Sequence, residues 1–71
     1  MTTFTKGDRI TLKTPRLCYV RGETTTMLLN PSDVLKYVTG NDKHCFFEVV
    51  GSGVVVKITR TSFENLTYKL I

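Results

Sequence analysis

Chemistry-bearing side chains are scarce in this chain: one histidine, His44, two cysteines, Cys18 and Cys45, and no tryptophan among 71 residues. One His and two scattered Cys, with no C-x-x-C spacing and no acidic cluster, supply no ligand set for zinc or another metal, and no cofactor is expected. The two thiols are expected to be reduced, as in a cytosolic protein. No stretch approaches the roughly 20 apolar residues that span a bilayer. Met1-Thr2-Thr3-Phe4 also lacks the basic and apolar regions of a signal peptide, so the expectation is a cytoplasmic chain with no membrane partner. A glycine-rich phosphate cradle is missing too, because Gly51-Ser52-Gly53 is flanked by strand-like runs and not by a helix start. His44-Cys45 is the one neighbouring pair of reactive types, and neighbours at a loop–strand junction point apart. With no nucleophile, base and oxyanion or metal site to assemble, neither an enzyme nor a small-molecule substrate is expected.

What the chain does have is short runs of β-branched and aromatic residues between turn formers. Val34 to Thr39, Cys45 to Val50 and Val54 to Thr59 each read as a strand. The first two are joined by the polar loop Gly40 to His44, whose Gly and Asn tolerate positive φ. The last two are joined by Gly51-Ser52-Gly53, the composition of a tight hairpin. Connections this short make the neighbours antiparallel. Ahead of them, Asp8 to Lys13 alternates cleanly, with Ile10 and Leu12 inward, and Thr14-Pro15 ends that strand. Leu17 to Val20 and Thr25 to Leu29 are each strand-compatible and are joined by Arg21-Gly22-Glu23-Thr24, good hairpin material. Thr67 to Ile71 is a last strand pairing back near the first, with Tyr68 and Leu70 on one side. Asp8 and Asp33 precede strands, where an Asp carboxylate bonds nearby backbone N–H groups.

Alternation along the three central runs puts Leu35, Tyr37, Phe47, Val49, Val54, Val56 and Ile58 on an inner face. Lys36, Glu48 and Lys57 then share the outer face, an acid between two bases, together with Phe46, Val38, Val50 and Val55, which need cover. Phe4 is expected to plug one end of the core, and Met27 or Leu28 with Leu17 or Tyr19 to cap it. Thr61 to Leu66 breaks the alternation. Phe63 and Leu66, three apart, suit one inward helical turn that Ser62 can cap.

A strand pair, a tight hairpin and a short helical turn before a last strand is an order that resembles small Src-homology-3-type barrels. Ser32-Asp33 stands where those domains carry Gly-Asp or Gly-Glu ahead of a strand. Gly40 to His44 stands at the second loop, Cys45-Phe46-Phe47 at the paired-aromatic strand, Gly51 to Gly53 at the distal hairpin and Ser62 to Leu66 at the helical turn. The opening Phe4-Thr5-Lys6-Gly7-Asp8-Arg9-Ile10 is similar to the turn-into-strand start of KOW and Tudor-like modules. The resemblance covers about half the chain and is one of pattern. It implies an all-β fold: a small five- to six-stranded antiparallel SH3-like barrel over residues 1–71 as one domain, with one 3-10 turn near Ser62-Leu66. Proline-rich peptide binding of the Src-homology-3 kind is not implied, since the chain has no Trp and its long loop carries Arg16 and Arg21 against only Glu23.

Ten Lys and Arg against six Asp and Glu give a net charge of +4, a balance that favours anionic partners. A net charge of this size also serves plain solubility. The positive side chains are Arg9 and Lys13 on the first strand, Arg16 and Arg21 in the long loop, and Lys36, Lys43, Lys57 and Arg60 along the central strands. Nucleic-acid grooves on small barrels combine such charges with exposed aromatics that stack bases, and Tyr19 and Phe46 are the candidates for that role. The expected binding set is therefore Arg9, Arg16, Tyr19, Arg21, Lys36, Lys43, Phe46, Lys57 and Arg60. Its expected partner is nucleic acid or an acidic protein surface. The alternative is a small inhibitor or adaptor that binds a host protein, of the kind phage and plasmid genomes encode as single-domain chains.

Overall fold

Runs of Val, Ile, Phe and Thr too short for helices, cut by Gly, Pro and Asn, fold as strands because branched and aromatic side chains lose rotamer freedom in a helix and pack well on a pleated surface. A computed structural model of the chain describes residues 4–64 and 68–71. The described residues form seven strands: β1 (Arg9–Leu12), β2 (Arg16–Val20), β3 (Thr26–Leu29), β4 (Leu35–Gly40), β5 (His44–Val49), β6 (Val55–Thr59) and β7 (Tyr68–Leu70). A short helix, α1 (Arg60–Glu64), lies between the last two. One antiparallel sheet in the order β3-β2-β6-β5-β4-β1-β7 joins them all, curled into a half-barrel. The strand number exceeds the expected five to six because the long first connection is a regular hairpin: β2 pairs β3 from Arg16↔Leu29 to Tyr19↔Thr26 and meets β6 at Tyr19↔Lys57 and Val20↔Val56.

The inner face of the central strands is the expected one. Leu35, Phe47 and Val56 are fully buried, Val49 and Ile58 nearly so, and Tyr37 and Val54 pack against them. Ile10, Leu12, Cys18, Leu29 and Cys45 complete the interior. Burying each large apolar side chain stabilises the fold by about 1.5–3 kcal/mol. Phe4 closes one end: its ring stacks on Tyr37 at 5.5 Å, meets Phe47 edge-on at 5.4 Å and leans on Tyr68 at 5.7 Å.

The cap of the core is as expected on β3, where Met27 supplies it, and differs on β2, where Cys18 takes the place expected of Leu17 or Tyr19. Register pairs Cys18 with Met27 and Leu17 with Leu28. Cys18 and Met27 therefore turn inward together, while Leu17, Tyr19 and Leu28 stay exposed. Leu70 is likewise exposed although Tyr68 packs on the core; β7 is the edge strand of the sheet.

The helix is an α turn starting at Arg60, directly after β6, in place of a 3-10 turn near Ser62-Leu66. Its cap is Thr59 and not Ser62: the Thr59 Oγ1 accepts the Ser62 backbone N–H at 3.2 Å, satisfying one of the otherwise orphaned donors of the first turn. The expected inward packing of Phe63 and Leu66 concerns a side chain and a residue outside those described.

Turn chemistry is local. The carboxylates of Asp8 and Asp33 accept the backbone N–H of Thr5 and Asn30, both at 2.8 Å. Gly51 and Gly53 take φ of +96° and +73° in the β5–β6 hairpin. Gly40, in contrast, does not use positive φ. A Cβ there would lie 2.5 Å from the Tyr37 hydroxyl and 3.0 Å from an Arg60 guanidinium nitrogen, so its reason is space.

Candidate functional site

The outer face of the sheet is organised by register. Tyr19 on β2 lies opposite Lys57 on β6, Lys57 opposite Phe46 on β5, and Phe46 opposite Thr39 on β4. With strands about 4.8 Å apart, Tyr19 and Phe46 stand roughly 10 Å apart with the Lys57 stem between them. Tyr19 is 55% exposed. Phe46 is half-buried, and its cover is Arg21, whose guanidinium carbon sits 4.7 Å from the ring centre. The covering turn is anchored by the Arg21 N–H, which donates to the Val55 carbonyl at 2.9 Å. Val38, at the β-bulge between Tyr37 and Thr39, and Val55 are half-buried, and Val50 is exposed.

A second outer row holds Arg9, Lys36, Glu48 and Val55. Lys36 Nζ is 3.6 Å from a Glu48 carboxylate oxygen. Both side chains are more than a third exposed, so this pair contributes under about 1 kcal/mol, but it neutralises Lys36 locally. Lys57 does not share Glu48: register sets Val55 opposite the acid and moves Lys57 to the aromatic row. The expected triad of base, acid and base is thus one ion pair and one separate lysine.

Of the nine expected residues, Tyr19, Arg21, Phe46 and Lys57 come together, with Lys36 and Arg9 in the adjoining row. Arg16 and Tyr19 both line a cleft between β2 and β6. Lys43 and Arg60 sit apart, at the β4–β5 loop. The Arg60 side chain donates to the Asn41 carbonyl at 2.5 Å and its backbone N–H donates to the Lys43 carbonyl at 2.9 Å. Arg60 is therefore a clip that holds the loop. Asn41 shapes the same loop by accepting the Lys43 and His44 N–H groups, both at 2.9 Å.

His44 and Cys45 point apart, His44 half-buried toward the Phe46 ring at 6.3 Å and Cys45 buried in the core. Burial raises both thiols above their ordinary value of 9.0, with Arg16 near Cys18 and Arg60 near Cys45 partly opposing it; neither thiol is activated. Among the described residues no three His, Cys, Asp or Glu side chains could hold a metal ion, and no helix is long and apolar enough to cross a membrane.

Two features escaped the sequence reading. Leu17 and Leu28 are a cross-strand pair, 64% and 52% exposed, hidden because the parity of this hairpin is set by its register. The β2–β6 cleft brings His44 and Ser62 beside Arg16, and no spacing along the chain signals that meeting. The molecule is a small all-β protein built on one curled antiparallel sheet with a basic and aromatic outer row. No protein-family model, curated protein or solved structure matches it.

Proposed function

We propose that this protein is a non-enzymatic binding module of the SH3-like, KOW/Tudor-like kind and that it binds nucleic acid, alone or within a cytoplasmic nucleoprotein assembly. The barrel reading is supported by connectivity: β1 pairs with β7, the hairpin β2–β3 rises from the first connection, and β4, β5 and β6 are consecutive neighbours followed by a helical turn. The observation that carries the binding reading is the continuous row Tyr19–Lys57–Phe46 with Arg21 on the last ring. Aromatic faces that stack bases, alternating with cations that meet phosphates, are what a nucleic-acid surface requires.

The deciding measurement is binding of short oligonucleotides as a function of salt. In this reading log K falls with log salt, with a slope of about 0.7 per neutralised phosphate for single strands and 0.9 for duplex DNA. Lys57→Glu weakens binding at every sequence tested. A salt-independent response, or no binding at low salt, rules the reading out.

A second reading, a small inhibitor or adaptor of the phage or plasmid kind that docks on a host protein, draws on one observation: the exposed pair Leu17 and Leu28 beside Tyr19. Aromatic and aliphatic anchors carry interface energy. This reading predicts a discrete protein partner that survives nuclease treatment and is lost in Leu28→Lys.

A further inference from the structure

The β2–β6 ladder stops early. Arg21 N–H donates to Val55, and Tyr19 pairs with Lys57; the next bonded pair in that register would be Leu17 with Thr59. It is not part of the ladder, because the chain leaves β6 at Thr59 to enter α1. Alternation assigns the Leu17 N–H and C=O to the β6 side of β2, so they face the gap left by the missing pair. The gap is a cleft of about 240 Å³. Its floor is apolar, made by Cys18 and Ile58, each 3% exposed. Its lining is also cationic and hydroxylic, with Arg16, Lys57, His44 and Ser62 around the apolar floor. Tyr19 forms the wall that adjoins the outer aromatic row.

An apolar floor, an aromatic wall and a basic lining fit a ligand with a flat ring at one end and an anion at the other. The volume falls below the roughly 300–1,000 Å³ of drug-sized pockets, so one small unit enters and not an extended groove-filling segment. We propose that the cleft holds a single unstacked nucleotide of a single-stranded nucleic acid, its base against Tyr19 and its phosphate drawn by the Arg16 and Lys57 cations of the lining. The proposal rests on the nucleic-acid reading and sharpens it: a duplex, whose bases are already stacked and paired, presents no base to Tyr19. The Leu17 backbone N–H and C=O, which alternation turns to this side, provide a donor and an acceptor for the base edge.

The test is amide NMR titration of the whole chain at low salt with hexathymidylate, hexauridylate and a 12-base-pair DNA duplex, repeated on Tyr19→Ala, Arg16→Ala and the control Lys6→Ala, an exposed lysine outside the candidate set. The expected result is that amides of Arg16 to Tyr19 and of Lys57 to Thr59 shift with a single strand. Tyr19→Ala and Arg16→Ala each lose about tenfold or more in affinity, the range of one base stack or one charged contact. Lys6→Ala and the duplex act as the low-response controls. Thermal unfolding of each variant checks that it is folded. If single strands bind with full affinity to both cleft variants and shift only the amides around Arg9 and Lys36, the cleft proposal is overturned while the nucleic-acid reading stands. Duplex binding as tight as single-strand binding also overturns it. If no nucleic acid shifts any amide, both fall.

Discussion

The Arg21 guanidinium lies over the Phe46 ring, 4.7 Å from its centre, and so links the tip of one hairpin to the middle strand of the sheet. The contact covers an aromatic that alternation sends to the outer face. It also places a cation where a base or an acidic side chain would approach. Cation–π pairs at partly exposed sites contribute about 0.5–1 kcal/mol. Arg21→Ala is therefore expected to lower stability to urea by about that amount and to increase binding of an apolar dye at the uncovered ring. Arg21→Lys should retain part of the effect. Unchanged dye binding in Arg21→Ala would show that the turn covers Phe46 without the guanidinium.

Lys36 and Lys57 differ by one register step, and under the proposed nucleic-acid reading their roles should differ accordingly. Glu48 shields Lys36 at 3.6 Å, whereas Lys57 sits between Tyr19 and Phe46. Glu48→Gln is expected to strengthen oligonucleotide binding about two- to fivefold at low salt, an advantage that fades as the Debye length shrinks toward 8 Å at physiological salt. Lys57→Ala should weaken it. Equal losses for Lys36→Ala and Lys57→Ala would contradict this division.

Gly40 is hemmed in on three sides: an added methyl meets the Tyr37 hydroxyl at 2.5 Å, an Arg60 nitrogen at 3.0 Å and the His44 carbonyl at 3.1 Å. Gly40→Ala forces the Arg60 clip or the Tyr37 ring to move and should cost about 1–3 kcal/mol, the range for overpacking. Gly51→Ala meets no neighbouring atom, and its cost comes instead from the φ of +96°, about 1 kcal/mol. Urea unfolding of both variants separates the mechanisms. Arg60→Ala added to Gly40→Ala should recover part of the first loss and none of the second.

Cys18 and Cys45 make stability fall on the alkaline side. Burial keeps both thiols protonated past the ordinary value of 9.0 in the folded chain, while the unfolded chain ionises them near that value. Above about pH 9 the unfolded state has lost protons that the folded state retains, so the equilibrium moves toward unfolding as pH rises. The thiols' contribution is complete below pH 9 and is lost as pH climbs toward the folded values. Urea unfolding at pH 7 to 10 should show a steeper alkaline decline for the native chain than for Cys18→Ala/Cys45→Ala. Parallel curves would mean the thiols ionise alike in both states.

The meander was legible because Phe47, Val49, Val56 and Ile58 alternate with polar or smaller residues, and only one pleat phase buries all four. Asp8, Asp33, Gly51 and Gly53 were legible for a related reason, since their contacts reach no more than a few residues. The hairpin β2–β3 was not. Leu17-Cys18-Tyr19-Val20 is apolar at every position, so either parity satisfies the pattern, and pairing with β3 and β6 selects the one that buries Cys18. The same holds for Arg60, which reads as a surface cation until the fold brings the Asn41 carbonyl to it.

Local composition by itself determined that this chain makes short antiparallel strands with tight turns and an inner row of Phe, Val and Ile, because side-chain branching and turn geometry act over a few bonds. Which lysine meets an acid, which arginine covers an aromatic and where the β2–β6 ladder opens into a cleft were decided by tertiary structure alone. Those depend on the register between strands distant in sequence, and a shift of two residues keeps every side chain on its face while changing all of its neighbours.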